Sequence, residues 1–324
     1  MLRVGYPAAI AAEFLRDFPS EVELIPLPDD LDHEVEIDVW LPGVFPAEAR
    51  RLWPHLRGVR LVLALVAGTE WIPPITGPGV TICNTRGAGN IAPAEWVISA
   101  ILATLKYFPF YLDVQRSGQQ WAHRAEANDH YARITGDARS FYPSVTVEEL
   151  TGKRVLLVGH GAIGQEIERM LTPFQVELTR VARTARATPL VHAFGELDSF
   201  LPQAEIVILI LPLTAESRGL IGRRQLALMP QGALLVNAAR GAIVETDALM
   251  DALNSGRIRA ALDVTDPEPL PEGHPLWSCP NLLLTPHAAG TCPQFTPRAL
   301  AVALHNLRRY LAGKPLKNVM QTAI

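Results

Sequence analysis

The sequence predicts an α/β protein built from two domains that each contain a parallel sheet. Its 324 residues exceed what a single hydrophobic core usually organises. Short apolar runs alternate with helix-like stretches, which is typical of βα units. Runs such as IVILIL at 206–211 are apolar at every position, as expected for strands that are buried on both faces of a sheet.

The candidate strands fall into two sets, and each set predicts one sheet. The first set is LRVGY, VELIPL, IDVWLPG, VRLVLALVAG and VTICNT. The second set is RVLLVG, VELTRVA, EIVILILPL, ALLVNAA, AALDV and LLLTP.

An apolar stretch at 91–114 separates the two sets and predicts one long helix, broken or kinked near Pro109, that connects the domains. The next residues, 116–146, are polar and mixed in charge and show no clear period. Because long irregular loops are uncommon inside compact domains, this segment is interpreted as either a functional arm or a flexible surface excursion.

The C-terminal segment shows the spacing of an amphipathic helix. Leu300, Leu304, Leu307 and Leu311 recur every three or four residues, and Gly313 follows as a C-cap. We expect this helix to return to the first domain. The predicted domains are therefore 1–92 plus 291–324, and 93–290.

Composition argues against several classes of protein. The net charge is −4 and no run of Lys and Arg occurs, so a nucleic-acid surface is not expected. No apolar run reaches the roughly 18 residues of a membrane span, and Glu13 and earlier turn residues interrupt any signal peptide. Cys83, Cys279 and Cys292 have neither disulfide nor zinc-site spacing, so we expect a cytoplasmic protein without a metal.

The segment KRVLLVGHGAIGQEIERML predicts a dinucleotide site. Gly159, Gly161 and Gly164 have GxGxxG spacing between an apolar strand and an amphipathic helix. The first glycine makes the turn, the second lets the backbone approach a pyrophosphate, and the third packs helix on strand. The flanking elements favour this interpretation over a merely structural glycine turn. The intervening residues assigned to the cofactor are His160, Ala162 and Ile163.

The next strand ends without the acidic residue that usually binds the ribose 2′-OH of NAD. About 20 residues after Gly164 the sequence offers Arg183, Thr184 and Arg186 instead. Guanidinium groups pair bidentately with phosphate, which favours a 2′-phosphate and hence NADP(H). A solvated basic loop is the alternative, and use of NAD(H) stays open.

Three further stretches carry candidate catalytic residues, each after an apolar run. LLVNAARGAIVETDAL contains Arg240, ALDVTDPEPLPEGHPLW contains Asp263 and Glu268, and LLLTPHAAG contains His287. Together with VGHGAIGQ and LPLTAESRGLI, these blocks resemble, in the same order, the signature blocks of the D-isomer-specific 2-hydroxyacid dehydrogenase family. The resemblance covers nearly the whole chain. It implies two Rossmann-like or flavodoxin-like domains, the first for substrate and the second for cofactor, with the active site in the cleft between them.

The resemblance also implies roles for individual residues. Arg240 would hold the carboxylate and carbonyl oxygen of a 2-oxo acid, and His287 would give a proton to that oxygen as hydride reaches C2. Glu268 would accept the other ring N–H of His287. Asp263 would contact the nicotinamide carboxamide. Further positions that would line the cofactor are Pro212, Thr214, Ala238 and Ala239.

The segment LVAGTEWIP resembles the loop that receives the substrate carboxylate in this family, so Ala67, Gly68 and Thr69 would form a nest of backbone N–H groups. Trp71 and Arg86 depart from the residues usual in the family. These departures leave the identity of the substrate open.

The sequence therefore predicts an oxidoreductase that transfers hydride between NADP(H) and a small 2-oxo acid such as glyoxylate or hydroxypyruvate. By the same resemblance we expect a homodimer, in which the 116–146 arm contacts the partner subunit; a flexible loop is the alternative. An NAD(P)H-sensing regulatory protein on the same fold is the alternative function. A third interpretation, a protein that has lost catalysis, is opposed by Arg240, Glu268 and His287.

Overall fold

The computed structural model describes residues 1–118, 124–137 and 147–320, which form two compact units. Unit 1 consists of the chain up to Gly89 and the chain from Thr291 onward. Unit 2 is Asn90–Gly290. Each unit has its own sheet and its own hydrophobic core.

Unit 1 begins with seven short strands and two short helices. They are β1 Leu2–Pro7, β2 Val22–Leu27, β3 Val35–Glu36, β4 Val39–Trp40, α1 Pro46–Leu52, β5 Leu56–Arg57, β6 Leu61–Leu63, α2 Pro73–Thr76 and β7 Thr81–Cys83.

The main sheet of unit 1 has the order β2-β1-β4-β6-β7, and all its strands are parallel. Strands β3 and β5 form a separate two-stranded sheet. Counted along the main sheet, the order is 2-1-3-4-5, the flavodoxin-like arrangement. Each of the five candidate strands of the first set contains one strand of this sheet, so that prediction is confirmed.

Unit 2 contains seven helices and seven strands among its described residues. They are α3 Ile91–Leu105, α4 Phe108–Arg116, α5 Arg124–Thr135, β8 Arg154–Val158, α6 Ala162–Leu171, β9 Glu177–Ala182, β10 His192–Ala193, α7 Leu197–Phe200, β11 Ile206–Leu209, α8 Arg223–Leu228, β12 Ala233–Asn237, α9 Thr246–Asn254, β13 Ile258–Leu262 and β14 Leu282–Leu284.

The sheet of unit 2 is parallel throughout and has the order β10-β9-β8-β11-β12-β13-β14. The order reverses between β8 and β11, which is the doubly wound Rossmann arrangement. Every residue of β11, β12 and β13 is buried, because one core cluster covers each face of the sheet. The predicted fold class, α/β with two parallel-sheet units, is confirmed. In such sheets ligands bind beyond the carboxyl ends of the strands, near the reversal.

The predicted break in the connecting helix is confirmed, two residues before Pro109. Helix α3 ends at Leu105, Tyr107 takes a left-handed conformation with φ 54°, and α4 begins at Phe108. Pro109 lies in the first turn of α4, where its missing N–H leaves no helical hydrogen bond unmade. Among the described residues no single helix has the length and composition of a membrane span, whereas α3 and α4 together pass that test as a pair bent by 64°.

Part of the 116–146 arm is regular, although its sequence shows no clear period. Residues Arg124–Thr135 form α5, and Ala127 and Ile134 of this helix are buried. The side chain of Gln231 donates a hydrogen bond to the carbonyl oxygen of Ile134 at 3.1 Å. The described residues of α5 are otherwise polar or partly exposed, so its sequence shows no clear hydrophobic period. Residues 119–123 and 138–146 of the arm lie outside the described part of the chain.

The predicted C-terminal helix is confirmed as α10, Phe295–Leu311. Leu300, Leu304 and Leu307 are buried in the core of unit 1, whereas Leu311 is exposed. Gly313 follows with φ +61°, the left-handed conformation that ends many helices.

Candidate active site

The loop between β8 and α6 contains the three predicted glycines and is called the glycine loop below. Glycine is required at two of these positions by close contacts inside the protein, whereas the third position faces open space. A Cβ on Gly159, whose φ is +107°, would lie 2.2 Å from the carbonyl oxygen of Ile210, and one on Gly164 would lie 2.3 Å from that of Gly159. Both glycines therefore permit contacts inside the protein. A Cβ on Gly161 would meet no described atom within 4 Å.

The open space at Gly161 fits a bound dinucleotide. Helix α6 begins at the next residue, and its first intrahelical bond runs from Gln165 N–H to the carbonyl oxygen of Gly161. The N–H groups of Ala162, Ile163 and Gly164 therefore have no carbonyl before them in the helix and are available to an anion. A pyrophosphate could approach this backbone because no side chain projects from position 161.

Arg183, Thr184 and Arg186 are all exposed after the end of β9. Arg183 makes no hydrogen bond or ion pair with any described residue. Arg186 behaves differently, since its Nη2 donates to Nδ1 of His160 at 2.7 Å and to the carbonyl oxygen of His160 at 3.1 Å. The structure thus attaches one of the two predicted arginines to the glycine loop.

Two of the other predicted cofactor segments are shaped by buried polar residues that sequence reasoning missed. The buried hydroxyl of Ser217 donates to the carbonyl oxygen of Pro212 at 2.8 Å and accepts from Thr214 N–H at 2.8 Å. Buried Asn237 accepts from Ala239 N–H at 3.0 Å and donates to the carbonyl oxygen of Arg240 at 3.0 Å. An asparagine at the end of an otherwise apolar strand was the available signal at position 237.

His287 and Glu268 form the central pair of the candidate site. Glu268 Oε1 lies 2.5 Å from His287 Nδ1. Because a carboxylate can only accept, Nδ1 carries a proton and donates it to Glu268, and Nε2 is the ring nitrogen available for proton exchange with a substrate. The pKa of His287 is raised by this hydrogen bond, against the opposing effects of burial and of Arg240. Burial tends to raise the pKa of Glu268, but the hydrogen bond and charge of His287 outweigh it and lower that pKa overall. The pair therefore favours a charged imidazolium beside a carboxylate.

Asp263 holds the loop that carries His287. Its carboxylate accepts hydrogen bonds from Thr285 Oγ1 at 2.6 Å, Ala288 N–H at 2.8 Å and Ala289 N–H at 2.9 Å. Its carbonyl oxygen accepts from His287 N–H at 2.7 Å, and the residue is only 2% exposed. Asp263 thus orders the backbone around His287, and the contact with the nicotinamide carboxamide that the resemblance implies for it stays a prediction.

Arg240 belongs to the same edge of the sheet as His287 and Glu268. It follows β12, its charge acts on both of those residues, and its Nη1 donates to the carbonyl oxygen of Ala239 at 2.7 Å. A Cβ on Gly241 would lie 2.0 Å from the carbonyl carbon and oxygen of Thr265. Only glycine therefore allows the loop of Arg240 to contact the loop that leads to Glu268. The three predicted catalytic residues thus all lie at the carboxyl edge of one sheet.

The predicted carboxylate nest lies in unit 1, in the loop after β6. The carbonyl oxygens of Ala67, Gly68 and Thr69 accept hydrogen bonds from the Asn84 side chain, the Trp71 indole and Ile72 N–H. Within the described residues, the N–H groups of Ala67, Gly68 and Thr69 donate to no acceptor. The carbonyl oxygens of the loop are thus engaged in hydrogen bonds, and three successive backbone N–H groups remain as donors for an anion.

The glycine loop after the first strand of a doubly wound sheet suits a dinucleotide, and the His–Glu pair at the carboxyl edge of the same sheet suits proton transfer. Together they indicate a dinucleotide-dependent dehydrogenase. The comparisons with known proteins give the family. The model for the NAD binding domain of D-isomer specific 2-hydroxyacid dehydrogenases matches residues 99–289, and the chain belongs to this family.

Individual relatives agree with this assignment. Glyoxylate reductase of Aeropyrum pernix is 32% identical over 272 residues, which are 82% of this chain and 77% of that protein. Mitochondrial formate dehydrogenase of Hordeum vulgare is 32% identical over 269 residues, which are 80% of this chain and 66% of that protein. A D-isomer specific 2-hydroxyacid dehydrogenase from Xanthobacter autotrophicus Py2, solved with NADPH and MES, superposes with a TM-score of 0.73 at 28% identity over 99% of this chain and 98% of that chain. The protein is therefore an NAD(P)-dependent oxidoreductase acting on the CH–OH group of 2-hydroxy acids.

Proposed function

We propose that the protein is an NADP(H)-preferring reductase of small 2-oxo acids, of the glyoxylate or hydroxypyruvate type, that forms D-2-hydroxy acids. The cofactor preference is supported above all by the residues that follow β9. No carboxylate occurs between Ala182 and Glu196, and the exposed guanidinium of Arg183 has no acceptor among the described residues. A ribose 2′-OH would find no acidic partner in this segment, whereas a 2′-phosphate would find a cation.

The chemistry of the reaction follows from Arg240, Glu268 and His287. Nicotinamide, when bound, supplies or takes up the hydride. Arg240 presents a planar set of donors that suits the carboxylate and carbonyl oxygen of a 2-oxo acid. His287, whose pKa is raised by its hydrogen bond to Glu268, gives its Nε2 proton to the carbonyl oxygen during reduction and takes a proton back during oxidation.

The same pair favours 2-oxo acids over formate. Formate gives up hydride and becomes carbon dioxide, a change that requires no proton transfer to or from the substrate oxygen. A histidine whose pKa is raised by a carboxylate contributes little to that reaction, whereas reduction of a carbonyl group requires a proton. The relative from Aeropyrum pernix that is named a glyoxylate reductase supports the same choice.

The first test is steady-state kinetics with NADPH and NADH, using glyoxylate, hydroxypyruvate, pyruvate and phenylpyruvate. We expect a higher kcat/KM with NADPH. Arg183→Ala should lower kcat/KM with NADPH by about 10- to 100-fold, the worth of one charge-assisted interaction, and should lower it less with NADH. Arg240→Ala should lower kcat by roughly 10²- to 10³-fold with either cofactor.

Arg50→Ala, a change at an exposed arginine of α1, is the matched control and should alter neither quantity. A preference for NADH that Arg183→Ala leaves unaltered would contradict the cofactor proposal. Tight cofactor binding without turnover of any 2-oxo acid would replace the enzymatic proposal with the regulatory alternative.

A further inference from the structure

Four side chains form a continuous chain of hydrogen bonds beside the glycine loop. Arg186 contacts His160 as described above, and His160 Nε2 lies 2.6 Å from Glu168 Oε2. Glu168 in turn accepts from Arg180, with Nε at 2.9 Å from Oε2 and a second bond from Nη2 to Oε1. His160 lies at the centre of this chain and is only 6% exposed.

The donors and acceptors define one arrangement of protons in this chain. Arginine can only donate, so His160 Nδ1 accepts from Arg186. The ring proton therefore lies on Nε2 and is donated to Glu168. The hydrogen bond from Arg180 lowers the pKa of Glu168 to about 2, so this carboxylate is charged and remains an acceptor.

Nη2 of Arg186 donates two hydrogen bonds to His160, one to the ring nitrogen Nδ1 and one to the carbonyl oxygen. The other three N–H donors of this guanidinium meet no acceptor in the described part of the chain and are available to a ligand. The guanidinium is thereby attached to the backbone at the start of the glycine loop, where a dinucleotide would lie. Arg183, in the same loop as Arg186, has no such attachment.

We propose that His160 is a positioning residue that holds Arg186 ready for the 2′-phosphate, so that selectivity for NADP over NAD depends on a residue inside the glycine loop. This inference rests on the proposed cofactor preference. A fixed guanidinium loses less side-chain freedom on binding than a free one, so its contribution to affinity is larger. An apolar side chain at position 160 would leave Arg186 in place but mobile.

Three substitutions separate the two hydrogen bonds of the His160 side chain, one to Arg186 and one to Glu168. His160→Asn places an amide oxygen where Nδ1 accepts from Arg186, and it loses the bond to Glu168. His160→Gln places an amide nitrogen where Nε2 donates to Glu168, and it loses the acceptor for Arg186. His160→Leu loses both.

The readout is the affinity of each variant for 2′,5′-ADP and for 5′-AMP by titration calorimetry, together with kcat/KM for NADPH and NADH. The 2′-phosphate nucleotide makes the binding test independent of catalysis. We expect the wild type to favour 2′,5′-ADP. The ratio of the two affinities should fall on the order of tenfold in His160→Leu and His160→Gln and should be largely retained in His160→Asn. Combining His160→Leu with Arg186→Ala should lower the ratio no further than Arg186→Ala alone, since the two residues act as a unit.

The possible results separate the role of His160 from the NADP preference on which that role rests. A wild type that favours 2′,5′-ADP, with His160→Leu and His160→Gln retaining the ratio, would overturn the role of His160 while the NADP preference stands. A wild type that binds the two nucleotides equally would overturn both. If His160→Leu does not fold, the contrast between His160→Asn and His160→Gln still decides, because equal ratios in these two variants contradict the proposal.

Discussion

The two ends of the sheet in unit 2 each carry a glutamate paired with a cation, but the surroundings of the two pairs differ. At the amino end, Glu148 accepts from Arg259 Nη1 at 2.7 Å, and both side chains are more than nine-tenths buried. At the carboxyl end, Glu268 and His287 approach to 2.5 Å, with side chains 38% and 46% exposed.

Further hydrogen bonds hold both members of the Glu148–Arg259 pair. Lys153 Nζ and Tyr107 Oη also donate to its carboxylate, at 3.1 and 3.2 Å, and Arg259 Nε donates to the carbonyl oxygen of Gly232 at 3.0 Å. Burial tends to raise the pKa of Glu148, but the charges of Arg259 and Lys153 outweigh it and lower that pKa overall. Burial, and next the charge of Glu148, raise the pKa of Tyr107 far above its usual value.

The comparison shows that the same kind of ion pair serves different purposes at different exposures. The buried pair keeps its charges because neither partner can lose its counterpart without a large cost in free energy. The half-exposed pair contains a histidine, whose proton can exchange with solvent or substrate near neutral pH. We therefore expect changes at the amino end to affect stability and changes at the carboxyl end to affect rate.

The largest expected effect is on turnover at the carboxyl end. His287→Gln removes the proton donor and should lower kcat for reduction of the preferred 2-oxo acid by about 10²- to 10⁴-fold. His305→Gln, at an exposed histidine of α10, is the control and should retain wild-type kcat. Chemical denaturation should show nearly unchanged stability for His287→Gln. A kcat within tenfold of the wild type would remove His287 from its assigned role.

The next effect is on stability at the amino end. Glu148→Gln leaves Arg259 buried without its charged partner and should lower the free energy of unfolding by about 3 to 5 kcal/mol. Glu149→Gln changes an exposed neighbour and should have little effect. Urea denaturation of both variants measures the difference. A loss below about 1 kcal/mol for Glu148→Gln would show that the comparison between the two ends is mistaken.

The smallest effect is a shift of the pH profile. Glu268 raises the pKa of His287, so the protonated imidazole needed for reduction persists to higher pH. Glu268→Gln should therefore lower the pKa of His287 and move the alkaline limb of kcat/KM to lower pH. Glu272→Gln, at an exposed glutamate in the same loop, should leave the profile in place. A shift to higher pH, or no shift, would show that Glu268 does not govern this proton.

Much of the fold was predictable because the main strands are apolar at every buried position, a pattern that is local in the sequence. The candidate catalytic residues Arg240, Glu268 and His287 could also be predicted from the sequence, since each follows such a strand or lies in the loop beyond it. The carboxyl ends of parallel strands meet at one edge, so strand order brings these residues together.

Other features depend on contacts that the sequence does not encode locally. The two-residue strand β10 was missed because two residues do not make a pattern. Glu148 and Arg259 are 111 residues apart, and nothing in either segment indicates the other. His160 and Arg186 were both assigned to the cofactor, but their hydrogen bond depends on the conformation of the loop after β9.

The close approach at Gly241 has a consequence for how this enzyme can diversify. Any side chain there would overlap the backbone of Thr265, so it would displace at once the loop that carries Arg240 and the loop that leads to Glu268. Natural variation and engineering of substrate range therefore have little freedom at that point.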